Sequence, residues 1–188
     1  MGVTKSRSTM VCDLNLLSIV RSAHSCNTVY RTPSEAGHTF DFNVCAHKAV
    51  NPSAAPPLFK DVIDDGTTFV LVQNGVGNEE PFRNAFPKCS IISCVTWVGA
   101  VQKTAGTINH TENEDMQMGL FPNPSVDDSK EKGRLDRFAD LLRNGGTKFS
   151  VEENVQVKRW EKVRSQPHSS IHICLQRRRS SGTQPGTP

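Results

Sequence analysis

Between Tyr30 and Val163 the apolar positions fall into short continuous runs separated by sets at helical spacing. Phe42–Ala46 is a short apolar run that predicts a strand, followed by Lys48 and a loop marked by Pro52, Pro56 and Pro57. Leu58, Val62 and Ile63 share one helical face, which predicts a brief helix over Pro57–Ile63. Thr67–Val72 is continuously apolar and β-branched, the pattern of a strand buried on both faces of a parallel sheet. A helix over Asn78–Ala85, with acids in its first turn, precedes a second buried strand, Ser90–Val98. Ala100–Lys103 and Thr107–His110 read as hairpin arms around Gly106, and Met116–Leu120 as another strand. Asp127 or Asp128 caps a helix that carries Leu135, Phe138, Leu141 and Leu142 at helical spacing, and Asn144–Gly145–Gly146 ends it. A strand over Thr147–Val151 and a helix over Glu153–Val163 complete the series. Strands alternating with helices define an α/β fold with a mostly parallel sheet.

The flanks differ. Residues 1–28 show no periodicity and read as an atypical, poorly ordered leader, with neither a signal-peptide pattern nor a small-residue cleavage site. From Arg164 the chain turns to Ser, Arg, Gln and Pro, the composition of a disordered basic tail. That tail holds four Arg and no acid, so the net charge of +3 resides there, and the remainder carries 18 basic against 19 acidic side chains. A neutral body gives no electrostatic basis for a nucleic-acid role. With a mean hydropathy of −0.44 and no long apolar run, no membrane span is expected. The six cysteines form no Cys-x-x-Cys pair, and Cys45, Cys89 and Cys94 lie in or beside apolar runs, which suits buried thiols in a reducing, cytoplasmic setting. His168 and His172 are four apart without a third ligand nearby, so no metal site is expected.

The segment richest in chemistry is Val70–Glu80, VLVQNGVGNEE. A buried strand ends in Gln73–Asn74, and Gly75 and Gly77 then turn the chain into a helix. Ligands of open α/β sheets lie at the carboxyl ends of strands, and glycines there let backbone approach a ligand closely. By itself a G-x-G is equally a tight turn, with Asn74 as an αL residue. On the last helix Val157, Trp160 and Val163 share an apolar sector suited to anchoring in the core, and Lys162 points away from Trp160. Lys162 then faces either a cleft or, with Lys158 and Arg159, the solvent. Lys48 reads equally as a solvated loop lysine, Trp97 and Trp160 as packing residues, and Glu79, Glu80, Glu112, Glu114 and Asp115 as surface acids.

Taken together, FDFNVCAHKA (Phe40–Ala49), VLVQNGVGNEE, IISCVTWVGA (Ile91–Ala100), NHTENEDMQMGLFPN (Asn109–Asn123) and RWEKV (Arg159–Val163) resemble the ketopantoate reductases, or 2-dehydropantoate 2-reductases, and fungal members most. The five blocks keep the family's order across Tyr30–Val163. The resemblance implies an NADPH-dependent oxidoreductase that reduces 2-dehydropantoate to (R)-pantoate on the route to coenzyme A. It implies that Lys48, Asn74 and Ala100 line the cofactor cleft and that Lys162 is the general acid. A Rossmann-like sheet is implied as well, with residues 29–151 as a partial NADP-binding domain and 152–163 as the first helix of a truncated C-terminal helical domain.

The chain also departs from the family pattern. No G-x-G-x-x-G turn for a cofactor pyrophosphate occurs anywhere in it. Four residues beyond Lys162, where the family carries an Asn, stands Gln166, followed by Pro167, which ends the helix. The expectations are a fold lacking its first βαβ unit and most of its C-terminal helical domain, impaired activity, marginal stability, and self-association through an exposed sheet edge. A mis-spliced or frame-shifted reading frame fits both departures. The competing readings are a non-catalytic remnant that binds a protein partner, and weak polyanion binding by Arg177–Arg178–Arg179.

Overall fold

The computed structural model of the 188-residue chain describes residues 11–12, 29–105 and 107–165. The leader (save Val11–Cys12), Gly106 and the tail beyond Ser165 lie outside the described residues, so the expectations of disorder concern segments not described. β1 (Val11–Cys12) and β2 (Val29–Tyr30) form a separate antiparallel pair. The main sheet has five strands in the order β3 (Phe42–Cys45), β4 (Thr68–Val72), β5 (Ser90–Thr104), β6 (Thr107–Leu120) and β7 (Phe149–Val151). β3, β4 and β5 run parallel, β5 and β6 pair antiparallel, and β7 lies parallel to β6.

β4 is buried as its apolar run requires: Thr68, Phe69, Val70 and Leu71 are fully enclosed between two parallel neighbours. Alternation along the strands divides the core in two. Phe69, Leu71 and Ile91 point to one face, where Phe59, Val62 and, from helix α1 (Glu79–Ala85), Phe82 cover them. Phe69 alone meets the rings of Phe59, Phe82 and Phe86. Val70, Ile92, Cys94, Met116 and Met118 point to the other face, under Leu135, Phe138 and Ala139 of helix α2 (Asp128–Asn144). The side chain of Asp127 caps α2 by accepting from the backbone N–H groups of Ser129 and Lys130, while Gly145 ends the helix. Cys45, Cys89 and Cys94 are free thiols buried among these clusters, and burial pushes Cys45 and Cys94 up to about 12.

Three expectations on local structure change. The helix over Pro57–Ile63 is only a 3-10 turn, Pro56–Phe59, because Pro52, Pro56 and Pro57 remove backbone donors and no side chain caps it. Met116–Leu120 is not a separate strand. It continues β6, since nothing between Thr107 and Leu120 breaks the ladder with β5, whose irregularities are confined to Val98–Ala100 and Gln102–Thr104. The third change concerns the final helix, α3 (Val155–Ser165). Val157 and Trp160 are 47% and 59% exposed, and the buried residues of α3 are Val155 and Arg159. Positions 155, 159 and 162 form one helical stripe, and that stripe, largely polar, is the inward face.

α3 is set on the sheet by a close backbone approach. The N–H of Glu152 donates to the carbonyl of Met118 at 2.8 Å, and a Cβ on Gly119 would meet the Glu152 carbonyl oxygen at 2.4 Å. Gly119→Ala is therefore expected to push the start of α3 off β6 and to cost about 1–3 kcal/mol. Urea unfolding checks this: the midpoint should fall while the slope stays unchanged.

Candidate functional site

The turn after β4 is where the chain leaves the sheet. Gly75 and Gly77 have φ of 101° and 76°, a region costly for side-chain-bearing residues. Asn78 braces the turn by donating from Nδ2 to the Asn74 carbonyl at 3.0 Å, and α1 starts immediately after it. The Gln73 side chain donates to the His47 carbonyl at 2.9 Å, which ties the carboxyl end of β4 to the loop after β3.

Across this rim stands α3. Lys162 Nζ donates to Asn74 Oδ1 at 2.8 Å and also to the Thr96 carbonyl on β5, and it lies 5.2 Å from the centre of the Trp97 ring. Desolvation, and secondly the neighbouring charge of Arg159, hold the Lys162 ammonium below the usual lysine range. Gln73, Asn74, Gly75, Val95, Arg159, Lys162 and Val163 line a small cleft that opens to solvent.

Behind the cleft lies a buried ion pair. Arg159 and Glu79 are each 1% exposed in their side chains, with Nε 2.7 Å from Glu79 Oε1. Ser93 Oγ and Gln156 Nε2 both donate to the same carboxylate oxygen, at 2.6 and 2.9 Å. Arg159 Nη1 donates to the carbonyls of Gln73 and Gly75 at 2.7 and 2.8 Å, and Nη2 to that of Leu71 at 3.4 Å. Glu79 is therefore no surface acid and Arg159 no solvated base. The pairing and the turn's carbonyls replace the water of the guanidinium and of Glu79 Oε1, while Glu79 Oε2 is buried with no hydrogen-bond partner among the described residues.

Of the four residues singled out from sequence, the structure brings Asn74 and Lys162 into direct contact. Lys48 is exposed, one residue beyond the His47 carbonyl that Gln73 holds, so it stands at the same end of the sheet without lining the cleft. Ala100 is exposed farther out on β5, paired with His110, and does not line the cleft either. Arg159, Glu79, Ser93 and Gln156 were missed. One signal for Arg159 was present: it sits three residues before Lys162 and so shares its helix face.

The backbone of the turn is open to close approach by a ligand. Both positive-φ glycines have room above them: nothing lies within 4 Å of a Cβ built on Gly77, and only Asn78 Nδ2, at 3.8 Å, is near one on Gly75. Among the described residues no three metal-ligating side chains cluster, and no helix is long and apolar enough to cross a membrane.

A glycine turn at the carboxyl end of a central parallel strand, facing an amine on a separate helix, places the chain among α/β proteins that bind ligands at strand ends. The family model described as ketopantoate reductase PanE/ApbA matches residues 9–123, more than half of the sequence, and the chain belongs to that family. It is 22% identical over 135 residues to a 2-dehydropantoate 2-reductase of Mycobacterium tuberculosis, covering 72% of this chain and 42% of that protein. To the Nostoc enzyme of the same name it is 26% identical over 132 residues, covering 68% and 39%. The crystal structure of 2-dehydropantoate 2-reductase from Geobacter metallireducens superposes with a TM-score of 0.59 at 26% identity, over 71% of this chain and 42% of that one. The chain thus spans about two fifths of the length of the relatives it matches, and its fold is a partial Rossmann-like sheet with flanking helices.

Proposed function

We propose that the site serves NADPH-dependent reduction of a small 2-keto acid, 2-dehydropantoate, to (R)-pantoate, for pantothenate and coenzyme A synthesis in the cytoplasm. The observation that carries this reading is the Lys162 ammonium held 2.8 Å from Asn74 across the glycine turn. A nicotinamide held at the Asn74–Gly77 turn would supply a hydride to the keto carbon. As that bond forms, the carbonyl π electrons move to oxygen, and Lys162 gives that oxygen its proton, leaving a hydroxyl and a neutral amine. Of the ammonium's three donors, Asn74 and Thr96 take two, and among the described residues the third has no hydrogen-bond acceptor, so it can meet the ketone oxygen. Such a donor, already aimed where charge develops, stabilises the transition state more than the ground state.

Asn74 orients the amine and lines the cofactor side of the cleft, with Lys48 at the adjoining strand end; a cofactor contact by Ala100 would have to be made beyond the cleft, farther out on β5. In domain terms, residues 29–151 form the cofactor-binding part and 152–163 begin a helical part. The test is a fluorescence titration with NADPH alongside turnover of 2-dehydropantoate by the full chain. Saturable binding with NADPH oxidation supports the reading, and no binding at millimolar NADPH sinks it.

The sheet edge supports a second reading. β3 is the outermost strand on its side of the main sheet, and its Val44 is 49% exposed. Among the described residues no strand pairs with the outer edge of β3, and such an edge favours association of chains by strand pairing. Sedimentation velocity is expected to show concentration-dependent oligomers that Val44→Lys reduces, since a charged edge side chain opposes pairing. Equal distributions for both proteins would reject it.

A further inference from the structure

Arg159 presents its donors in three directions from one buried position. Nη1 spans the carbonyls of Gln73 and Gly75, the residues on either side of Asn74, and Nη2 reaches back to Leu71. Nε meets Ser93 Oγ at 2.6 Å and Glu79 Oε1 at 2.7 Å. A rigid five-donor fork makes these contacts together, whereas a lysine offers one point charge on a flexible stem. The two carbonyls held by Nη1 define the height and tilt of the peptide units that carry Asn74. Three residues along the same helix, Lys162 hydrogen-bonds the Asn74 side chain. The turn and the amine are thus referenced to a single side chain.

Resting on the reductase reading, we infer that Arg159, locked by Glu79, Ser93 and Gln156, is a positioning residue: it fixes the Gln73–Gly75 turn so that Asn74 and Lys162 meet at the reacting centre. A merely structural buried ion pair would need no bonds to the turn carbonyls flanking Asn74, yet Nη1 makes both. The charged groups around Lys162 are consistent with this. Arg159 faces it on α3 with Glu79 behind, β5 presents a carbonyl and an aromatic ring, and the Lys158–Glu161 pair lies along the exposed side of α3.

The test compares the full chain with the double variant Arg159→Met/Glu79→Leu, which replaces the pair by apolar groups of similar volume, a change that buried pairs often tolerate. Arg159→Lys, which keeps the charge and loses the fork, is the third protein. Three readouts are taken: melting temperature, hydrogen–deuterium exchange of the peptide spanning residues 73–80, and the kcat and KM for 2-dehydropantoate. For a displaced turn the double variant is expected to lose roughly 10–100-fold in kcat with KM nearly constant. Its turn amides should exchange at least about tenfold faster while it still melts cooperatively. Arg159→Lys should behave like the double variant. Exchange at the turn equal to wild type in both variants overturns the inference, as does full rescue by Arg159→Lys, which would leave only a charge requirement. A wild-type chain without turnover would count against the reductase reading alone, and the exchange data would still decide whether Arg159 sets the turn.

Discussion

Lys162→Ala is expected to lower kcat/KM for 2-dehydropantoate by about 10³-fold while the chain stays folded, a loss typical of removing a positioned proton donor. In the proposed reaction the whole effect falls on one ammonium: among the described residues no other lysine amine lines the cleft, and Arg159 is taken up by Glu79, Ser93 and three backbone carbonyls. Stability should not fall with activity. Burial and the adjacent Arg159 disfavour the charged amine, so Lys162→Met, which keeps the stem and drops the charge, should melt no lower than wild type.

The pH profile gives a second reading of the same residue. A general acid must be protonated, and the Lys162 ammonium is held below the ordinary lysine value of 10.5. Turnover should therefore fall as pH rises through that lowered value, with an alkaline limb below 10.5 that is absent from the residual activity of Lys162→Ala. A limb that persists in the variant would assign the titration elsewhere.

How far these residues could be read from sequence depends on what fixes each of them. Strand β4 was legible because its burial is local: a run of apolar and β-branched residues leaves no solvent face. The Asp127 cap and the glycine stop of α2 were legible for the same reason. Asn74 and Lys162 were found as candidates through their setting in family-like blocks, but their contact spans 88 residues and no local pattern encodes it. Apolar periodicity points to the wrong inward face of α3. Val157 and Trp160 satisfy that periodicity and still face outward. What buries Arg159 is a carboxylate 80 positions earlier, together with backbone carbonyls that appear in no sequence pattern. The hairpin of β5 and β6 was cut short for a related reason: its polar residues look like loop, and only the ladder shows that they pair.

Glu79 and Glu80 make the sharpest comparison of this kind, and they lead to the largest stability effect expected in the chain. Both acids occupy the first turn of α1, where the helix dipole favours either one. Glu80 is exposed, and Glu80→Leu should change stability by less than about 0.5 kcal/mol. Glu79 is enclosed, with Oε1 accepting from Ser93 and Gln156 and paired to Arg159. Glu79→Leu alone would strand the Arg159 guanidinium in the interior, where water cannot reach it, and removing one partner of such a pair costs about 3–5 kcal/mol. In the double variant no charge is left behind, so most of that loss should be recovered. Urea unfolding of Glu79→Leu, Arg159→Met and the double variant Arg159→Met/Glu79→Leu measures the coupling directly. If Glu79→Leu and Glu80→Leu shifted the midpoint equally, the pair would not be holding α3 against the sheet. The cleft would then depend on the backbone contact of Glu152 with Met118 and on the packing of Val155, with Arg159 free to leave the turn.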